Sequence, residues 1–140
     1  MSVKQKKENL PVLEIASGNN SGFETPTMKV ISTMEDLSQT WEIAYKNYLK
    51  KKEFPAVDLE EFDVILVALG ERNSGGYSIQ VESAVSIGNA VTVTVIETKP
   101  GSNCMTTEAI TYPFQLVQIP KTGKTISFEK TEKVIHCKSK

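Results

Sequence analysis

The chain has 140 residues, of which 39% are apolar and 24% are charged, and its formal net charge is −1. These values are ordinary for a folded globular protein and exclude a chain that is disordered throughout. The balanced charge, with Arg72 as the one arginine, predicts that the chain binds neither nucleic acid nor an anionic membrane surface.

The N-terminus is polar and rich in lysine, so we expect residues 1–9 to form a disordered leader before a single domain at 10–140. No stretch reaches the roughly 18 apolar residues that a transmembrane helix needs. No apolar signal core follows the leader either. Two interpretations stay open: the chain works in the cytoplasm, or an export signal was removed and Met1 was added in its place.

Two strands are predicted before the first helix. Residues 10–16 can form the first, and the turn-forming run of Ser, Gly and Asn at 17–22 ends it. Residues 23–31 are predicted to form the second, with Pro26 marking an edge position or a bulge.

One amphipathic helix is predicted from Met34 to Lys50. Ser32 and Thr33 are suitable N-cap residues, and acidic residues follow them in the first turn. Apolar side chains recur at three- and four-residue steps and form one stripe, with Trp41 at its centre: Leu37, Trp41, Ala44, Tyr45, Tyr48 and Leu49. The stripe indicates a face packed on a sheet. The alternative is an exposed aromatic platform for a ligand.

The second half of the chain has the patterns of β-structure. Residues 64–69 are a continuous apolar run, typical of a strand buried on both faces, and residues 77–82 and 91–95 alternate between apolar and polar. Shorter strands are predicted at 116–119, 126–128 and 133–137. We therefore predict a mainly β (α+β) fold, an antiparallel sheet or sandwich of about seven strands with one packed amphipathic helix. The gaps are too short for the helices of a parallel α/β fold.

Catalytic signals are weak, so we expect no enzyme, no metal site and no cofactor. His136 is the one histidine, and only Cys104 could form a nucleophile pair with it. Residues 70–77 follow a strand as a phosphate-binding loop does, but Gly76 and Tyr77 stand where that motif needs Lys and Ser or Thr. The acidic residues between Asp58 and Asp63 are interpreted as a solvated surface.

The stretch from Val57 to Pro120 resembles the C-terminal domain of the PrcB family, which takes its name from a subunit of a secreted bacterial protease complex. The most specific piece is the sequence GERNSGGYSI at 70–79, and the sequences PGSNC at 100–104 and YPFQLVQIP at 112–120 add to it. The segments before Val57 look like what precedes this domain in relatives, so the resemblance covers most of the chain. It departs at Asn73 and Ser74, where the family often has proline and threonine.

The resemblance implies a non-catalytic protein-binding domain that is secreted, periplasmic or attached to the cell surface, in some relatives by a lipid anchor. It also implies a missing export signal and a disulfide between Cys104 and Cys137, which the spacing of the two cysteines alone leaves open. The implied partner is a protein, and the candidate is a secreted protease that the domain assists or inhibits. A carbohydrate- or small-ligand-binding β-domain of the bacterial cell envelope is the alternative.

The loop after the buried strand is the predicted partner-binding site. Loops carry binding residues more often than strands do, and arginine and tyrosine dominate binding hot spots. Residues 73–77 are also similar to the Asn-Pro-Thr-Thr-Gly-Tyr loop that chagasin-type inhibitors insert into cysteine proteases. The predicted site consists of Gly70, Arg72, Asn73, Ser74, Gly75, Gly76 and Tyr77.

Overall fold

A computed structural model describes residues 6–137. This part of the chain contains eight strands and one helix: β1 (Lys7–Leu10), β2 (Leu13–Gly18), β3 (Thr27–Ile31), α1 (Met34–Tyr45), β4 (Phe62–Ala68), β5 (Ser78–Ile87), β6 (Ala90–Pro100), β7 (Phe114–Pro120) and β8 (Thr125–Ile135). No helix within these residues is long and apolar enough to cross a membrane.

The strands form two four-stranded sheets, and the helix covers one of them. The strand orders are β1-β5-β6-β8 and β2-β7-β4-β3. Strand β4 contributes to both sides of its sheet, because successive side chains of a strand point to opposite faces. Ile65 and Val67 belong to the core between the sheets, while Val64 and Leu66 pack with the helix. The predicted mainly β architecture and the strand buried on both faces are therefore confirmed.

One strand pair departs from the predicted antiparallel arrangement. Strands β6 and β8 run parallel, from Ala90 opposite Thr125 to Pro100 opposite Ile135. The chain between them passes through β7, which belongs to the other sheet, so β8 re-enters the first sheet in the direction of β6. A strand serves here as the crossover that helices provide in α/β folds. The two short strands predicted at 126–128 and 133–137 fall on this single strand, except for residues 136–137, which follow its end at Ile135.

The predicted disordered leader is wrong for its last three residues. Residues 7–9 form most of β1, which pairs with β5 from Lys7 opposite Ile87 to Leu10 opposite Ala84. Only Leu10 of this strand is buried, so backbone hydrogen bonds rather than an apolar pattern hold the strand in place. Lys6 is exposed and precedes the strand, and residues 1–5 of the predicted leader lie outside the described residues.

Helix α1 begins as predicted but ends five residues early. Thr33 is the N-cap, and its hydroxyl accepts a hydrogen bond from the Asp36 amide at 3.1 Å. The helix ends at Tyr45 rather than Lys50, and Leu49 is fully exposed. Beyond the helix, the Asn47 side chain donates to the Ser21 carbonyl at 3.0 Å. Contacts with a distant segment therefore replace the last predicted turn.

Trp41 anchors the helix in the core, as the apolar stripe predicted. Its side chain is 1% exposed, and its ring centroid lies 4.8 Å from that of Tyr45 and 5.9 Å from that of Phe54. Its indole N–H donates to the Lys52 carbonyl at 3.1 Å, so the segment after the helix folds back over the ring. The aromatic stripe is a core face, not an exposed ligand platform.

Candidate functional site

The predicted partner-binding loop connects the two sheets. It leaves β4 in the helix-covered sheet and enters β5 in the other sheet, so it lies at one end of the sandwich. Because the loop carries the chain from one sheet to the other, its course depends on how the sheets pack. It is not the tight turn of a hairpin between neighbouring strands.

A second loop, residues 101–113 between β6 and β7, lies against the first. Arg72 and Thr111 exchange backbone hydrogen bonds of 2.8 and 2.9 Å. The Gly75 amide donates to the Thr107 carbonyl at 3.0 Å, and the Thr111 hydroxyl donates to the Ser74 carbonyl at 2.8 Å. These bonds hold residues 71–77 and 105–111 side by side, and we call this pair of segments the two-loop surface.

The glycines of the predicted site let its backbone pack closely against neighbouring segments. Gly70 is buried with φ of +78°, and a Cβ there would lie 2.8 Å from the backbone nitrogen of Pro26. Gly76, with φ of +91°, lies against Pro100. A side chain at Gly75 would come within 2.5 Å of the Thr107 hydroxyl oxygen. Gly70 is therefore part of the interior and is not available to a partner, which corrects its predicted role as a contact residue.

Arg72, predicted to be an exposed contact residue, points into the molecule instead. One guanidinium nitrogen lies 3.1 Å from a carboxylate oxygen of Glu97, and a second donates to the Glu71 carbonyl at 3.0 Å. The guanidinium carbon also lies 5.6 Å from the centre of the Tyr77 ring. Arg72 is 24% exposed at its side chain and holds the loop on β6, so we assign it a structural role.

Glu97 is the buried centre of an ion-pair network. Its side chain is 1% exposed, and Lys130 of β8 lies 2.7 Å from its second carboxylate oxygen. Burial by itself raises the pKa of Glu97, but the hydrogen bonds and charges of Lys130 and Arg72 outweigh this and lower its pKa below the ordinary value. The charged form is therefore the one that the fold stabilises.

The sequence did contain a signal for this carboxylate. The alternation that places Val91, Val93 and Val95 on the inner face of β6 continues to Glu97. A charged residue at an inward position of a strand needs a partner, because an unpaired buried charge is costly. The one arginine of the chain or a lysine can meet this need.

Exposed side chains on the two-loop surface come from both segments. Asn73 is exposed on the first loop, as predicted, whereas Tyr77 is half-buried and packs on the core between the sheets. On the second loop Met105 is fully exposed and Ile110 is 55% exposed. Neither of these two apolar residues belongs to the predicted site. Their signal was a long stretch, 101–112, in which apolar residues occur without the alternation of a strand.

The predicted disulfide joins the second loop to the end of β8. Cys104 and Cys137 are bonded, with their Cα atoms 5.1 Å apart. The second loop is thus tied at one end to the C-terminal segment and along its length to the first loop. Because both sulfurs are in the disulfide, neither is a free thiol that could act with His136 as a nucleophile.

Comparison with known proteins agrees with part of the predicted resemblance. Residues 64–120 match the family described as PrcB C-terminal. No curated protein and no solved structure matches the chain. The matched residues run from β4 through β7 and include both loops of the two-loop surface. The match is narrower than the resemblance, which extended over most of the chain. The likeness of residues 73–77 to chagasin-type inhibitors stays a prediction.

Proposed function

Because residues 64–120 are a PrcB-like C-terminal domain, we propose that this chain is a non-catalytic protein-binding domain that acts with a protease. Within this proposal it is an accessory subunit of a protease complex or an inhibitor-like module. The observation that carries the proposal is the two-loop surface, which lies within the residues matched to the family. The family resemblance supports a protease as the partner class.

The rigidity of the two-loop surface supports a role in binding. Backbone hydrogen bonds join the loops, the Arg72–Glu97 ion pair fixes the first loop, and the disulfide fixes the second. Binding to a surface that is already ordered loses less conformational entropy than binding to mobile loops. Methionine is a side chain that adapts its shape to a partner, and Met105 is exposed at this surface.

The disulfide supports a location outside the cytoplasm. Disulfides persist in oxidising compartments and are rare where glutathione and thioredoxin keep thiols reduced. The Cys104–Cys137 bond therefore favours a secreted, periplasmic or cell-surface protein over the cytoplasmic interpretation. It adds to the family resemblance, which points to the same location.

The carbohydrate-binding alternative has less support. Carbohydrates stack on exposed aromatic rings, but Trp41 is 1% exposed and Tyr45 is 8% exposed. Both rings form part of the core beneath the helix. They are not available as a stacking platform, so we keep protein binding as the proposal.

The test compares how strongly the wild-type chain and a variant without the exposed apolar side chains of Met105 and Ile110 bind secreted proteases. The wild-type chain and a Met105→Ser, Ile110→Ser variant are assayed for affinity and for inhibition against secreted serine and cysteine proteases of the native host. We expect the variant to bind at least about tenfold more weakly, which corresponds to roughly 1.4 kcal/mol. Arg72→Ala is unsuitable for this purpose because it breaks the ion pair with Glu97.

The matched control is Leu13→Ser with Leu49→Ser. Leu13 and Leu49 are 61% and 109% exposed, similar to the 55% of Ile110 and the 102% of Met105, and neither residue belongs to the two loops. The control should bind as the wild type does, and both variants should melt near the wild-type temperature. If the wild type binds no protease in this set, protein binding to a protease is rejected. If both variants bind equally, the interface lies elsewhere.

A further inference from the structure

Strand β8 has a free edge. It has 11 residues and pairs with β6 along its whole length, but it is the last strand of its sheet. Its outer edge meets no other strand among residues 6–137. A long strand edge with unpaired backbone groups is a template for pairing with another strand.

The direction of the free backbone groups follows from the two ends of the strand. The Thr125 amide donates to the Asn89 carbonyl, and the Ile135 carbonyl accepts from the Gly101 amide, so both odd-numbered residues face the β6 side. The register with β6 has no shift between them. Backbone groups alternate along a strand, so the even-numbered residues present their N–H and C=O groups to the free edge: Ile126, Phe128, Lys130, Glu132 and Val134.

The charged residues of β8 are arranged so that two antiparallel copies of the strand place opposite charges next to each other. The central sequence is Glu-Lys-Thr-Glu-Lys at 129–133. When two copies pair antiparallel with Thr131 opposite Thr131, Glu129 faces Lys133 and Lys130 faces Glu132. Cross-strand pairs of opposite charge stabilise a sheet, and like charges opposite each other destabilise it.

Neighbouring registers lose this complementarity. Moving the pairing by one residue in either direction places Glu129 opposite Glu132, or Lys130 opposite Lys133. The next registers oppose Lys130 to itself or Glu132 to itself. The register centred on Thr131 also places Phe128 opposite Val134, and Val134 is 46% exposed in the single chain.

We propose that β8 pairs with β8 of a second copy of this chain, antiparallel and with Thr131 on the two-fold axis. The sheet that contains β8 in one copy then continues into the same sheet of the other copy. In this continuous sheet the even-numbered residues 128–134 of both copies exchange about eight backbone hydrogen bonds. The dimer contact lies outside residues 64–120, and its test needs no protease, so it succeeds or fails independently of the proposed function.

The outward-facing charges provide the sharpest test. Lys130 and Glu132 already pair within the chain, with Glu97 and Lys99. Glu129 and Lys133 lie on the other face of β8 and make no ion pair with the described residues, so each can be reversed without breaking an internal contact. Glu129→Lys gives a chain with lysine at both positions, and Lys133→Glu gives a chain with glutamate at both.

The experiment is sedimentation equilibrium over a wide range of protein concentration. The wild type should dimerise, and each single variant should dissociate about tenfold more readily or worse, because both symmetry-related pairs become repulsive. An equimolar mixture of Glu129→Lys and Lys133→Glu chains should form a heterodimer with close to wild-type affinity. The double variant, Glu129→Lys with Lys133→Glu, should form a homodimer again.

Two exposed residues away from β8 serve as controls for charge. Glu82→Lys and Lys50→Glu carry the same changes and should leave the dimer unaltered. Hydrogen exchange gives a second readout, since the amides of Lys130 and Glu132 should exchange more slowly as protein concentration rises. A wild type that stays monomeric, or a mixture that fails to associate while its chains remain folded, overturns the proposal. A monomer would leave the edge of β8 open to a different chain.

Discussion

The guanidinium of Arg72 lies 3.1 Å from the carboxylate of Glu97, which is 1% exposed on the inner face of β6. This ion pair joins the first loop of the two-loop surface to the sheet. Lys130 forms an ion pair with the other carboxylate oxygen of Glu97, so the network also includes β8. A loop that was expected to offer its arginine to a partner uses it to hold the loop in place.

The Arg72→Ala variant should unfold about 2–3 kcal/mol more easily than the wild type, as measured by urea denaturation. Breaking a buried ion pair leaves the remaining charge without compensation, and the cost is reduced here because Lys130 still pairs with Glu97. Asn73→Ala, at an exposed neighbouring position, should change stability by less than about 0.5 kcal/mol. Equal stability of the two variants would show that the ion pair contributes nothing.

Lowering the pH should decrease the free energy of unfolding, because Glu97 loses its charge. Its pKa is lowered in the folded state from the ordinary value of 4.5, so its stabilising contribution is complete above pH 4.5 and is lost as the pH falls through the lower folded value. The Glu97→Gln variant should be less stable than the wild type at neutral pH by about 2–3 kcal/mol. The difference should shrink below pH 4.5 in denaturation curves recorded from pH 7 to pH 3. A constant difference across this range would contradict the lowered pKa.

Removing the indole of Trp41 should cost about 3–5 kcal/mol, because a large buried ring leaves a cavity that the surroundings fill only in part. The measurement is the free energy of unfolding of Trp41→Ala. Leu49→Ala is the control, since Leu49 belongs to the same predicted stripe but is fully exposed. A Trp41→Ala variant as stable as the control would mean that the helix does not depend on this anchor.

Reducing the disulfide should lower the stability by roughly 3–4 kcal/mol on the loop-entropy estimate, given the sequence separation of 33 between Cys104 and Cys137. Unfolded protein that has not been reduced should show no titratable thiol. A Cys104→Ser, Cys137→Ser variant should reproduce the stability of the reduced chain. Two titratable thiols in the untreated protein would remove the disulfide and its support for a location outside the cytoplasm.

Local patterns determined most of the secondary structure. The alternation in β5 and β6, the continuous apolar run of β4 and the Thr33 cap each depend on residues within a few positions of one another. Such signals need no knowledge of the rest of the chain, because side-chain direction repeats every two residues in a strand and every 3.6 in a helix. The resemblance to the PrcB family likewise predicted the disulfide, and residues 64–120 match that family.

Tertiary structure alone decided which segments meet. Strand β1 exists because β5 offers it a backbone edge, and β8 runs parallel to β6 because β7 crosses to the other sheet. Arg72 and Glu97 are 25 residues apart, and Glu97 and Lys130 are 33 apart, so no local period connects them. Hydrogen bonding and charge pairing act through space, and the chain must fold before these partners are neighbours. The two-loop surface is therefore determined by contacts between segments that are distant in the sequence.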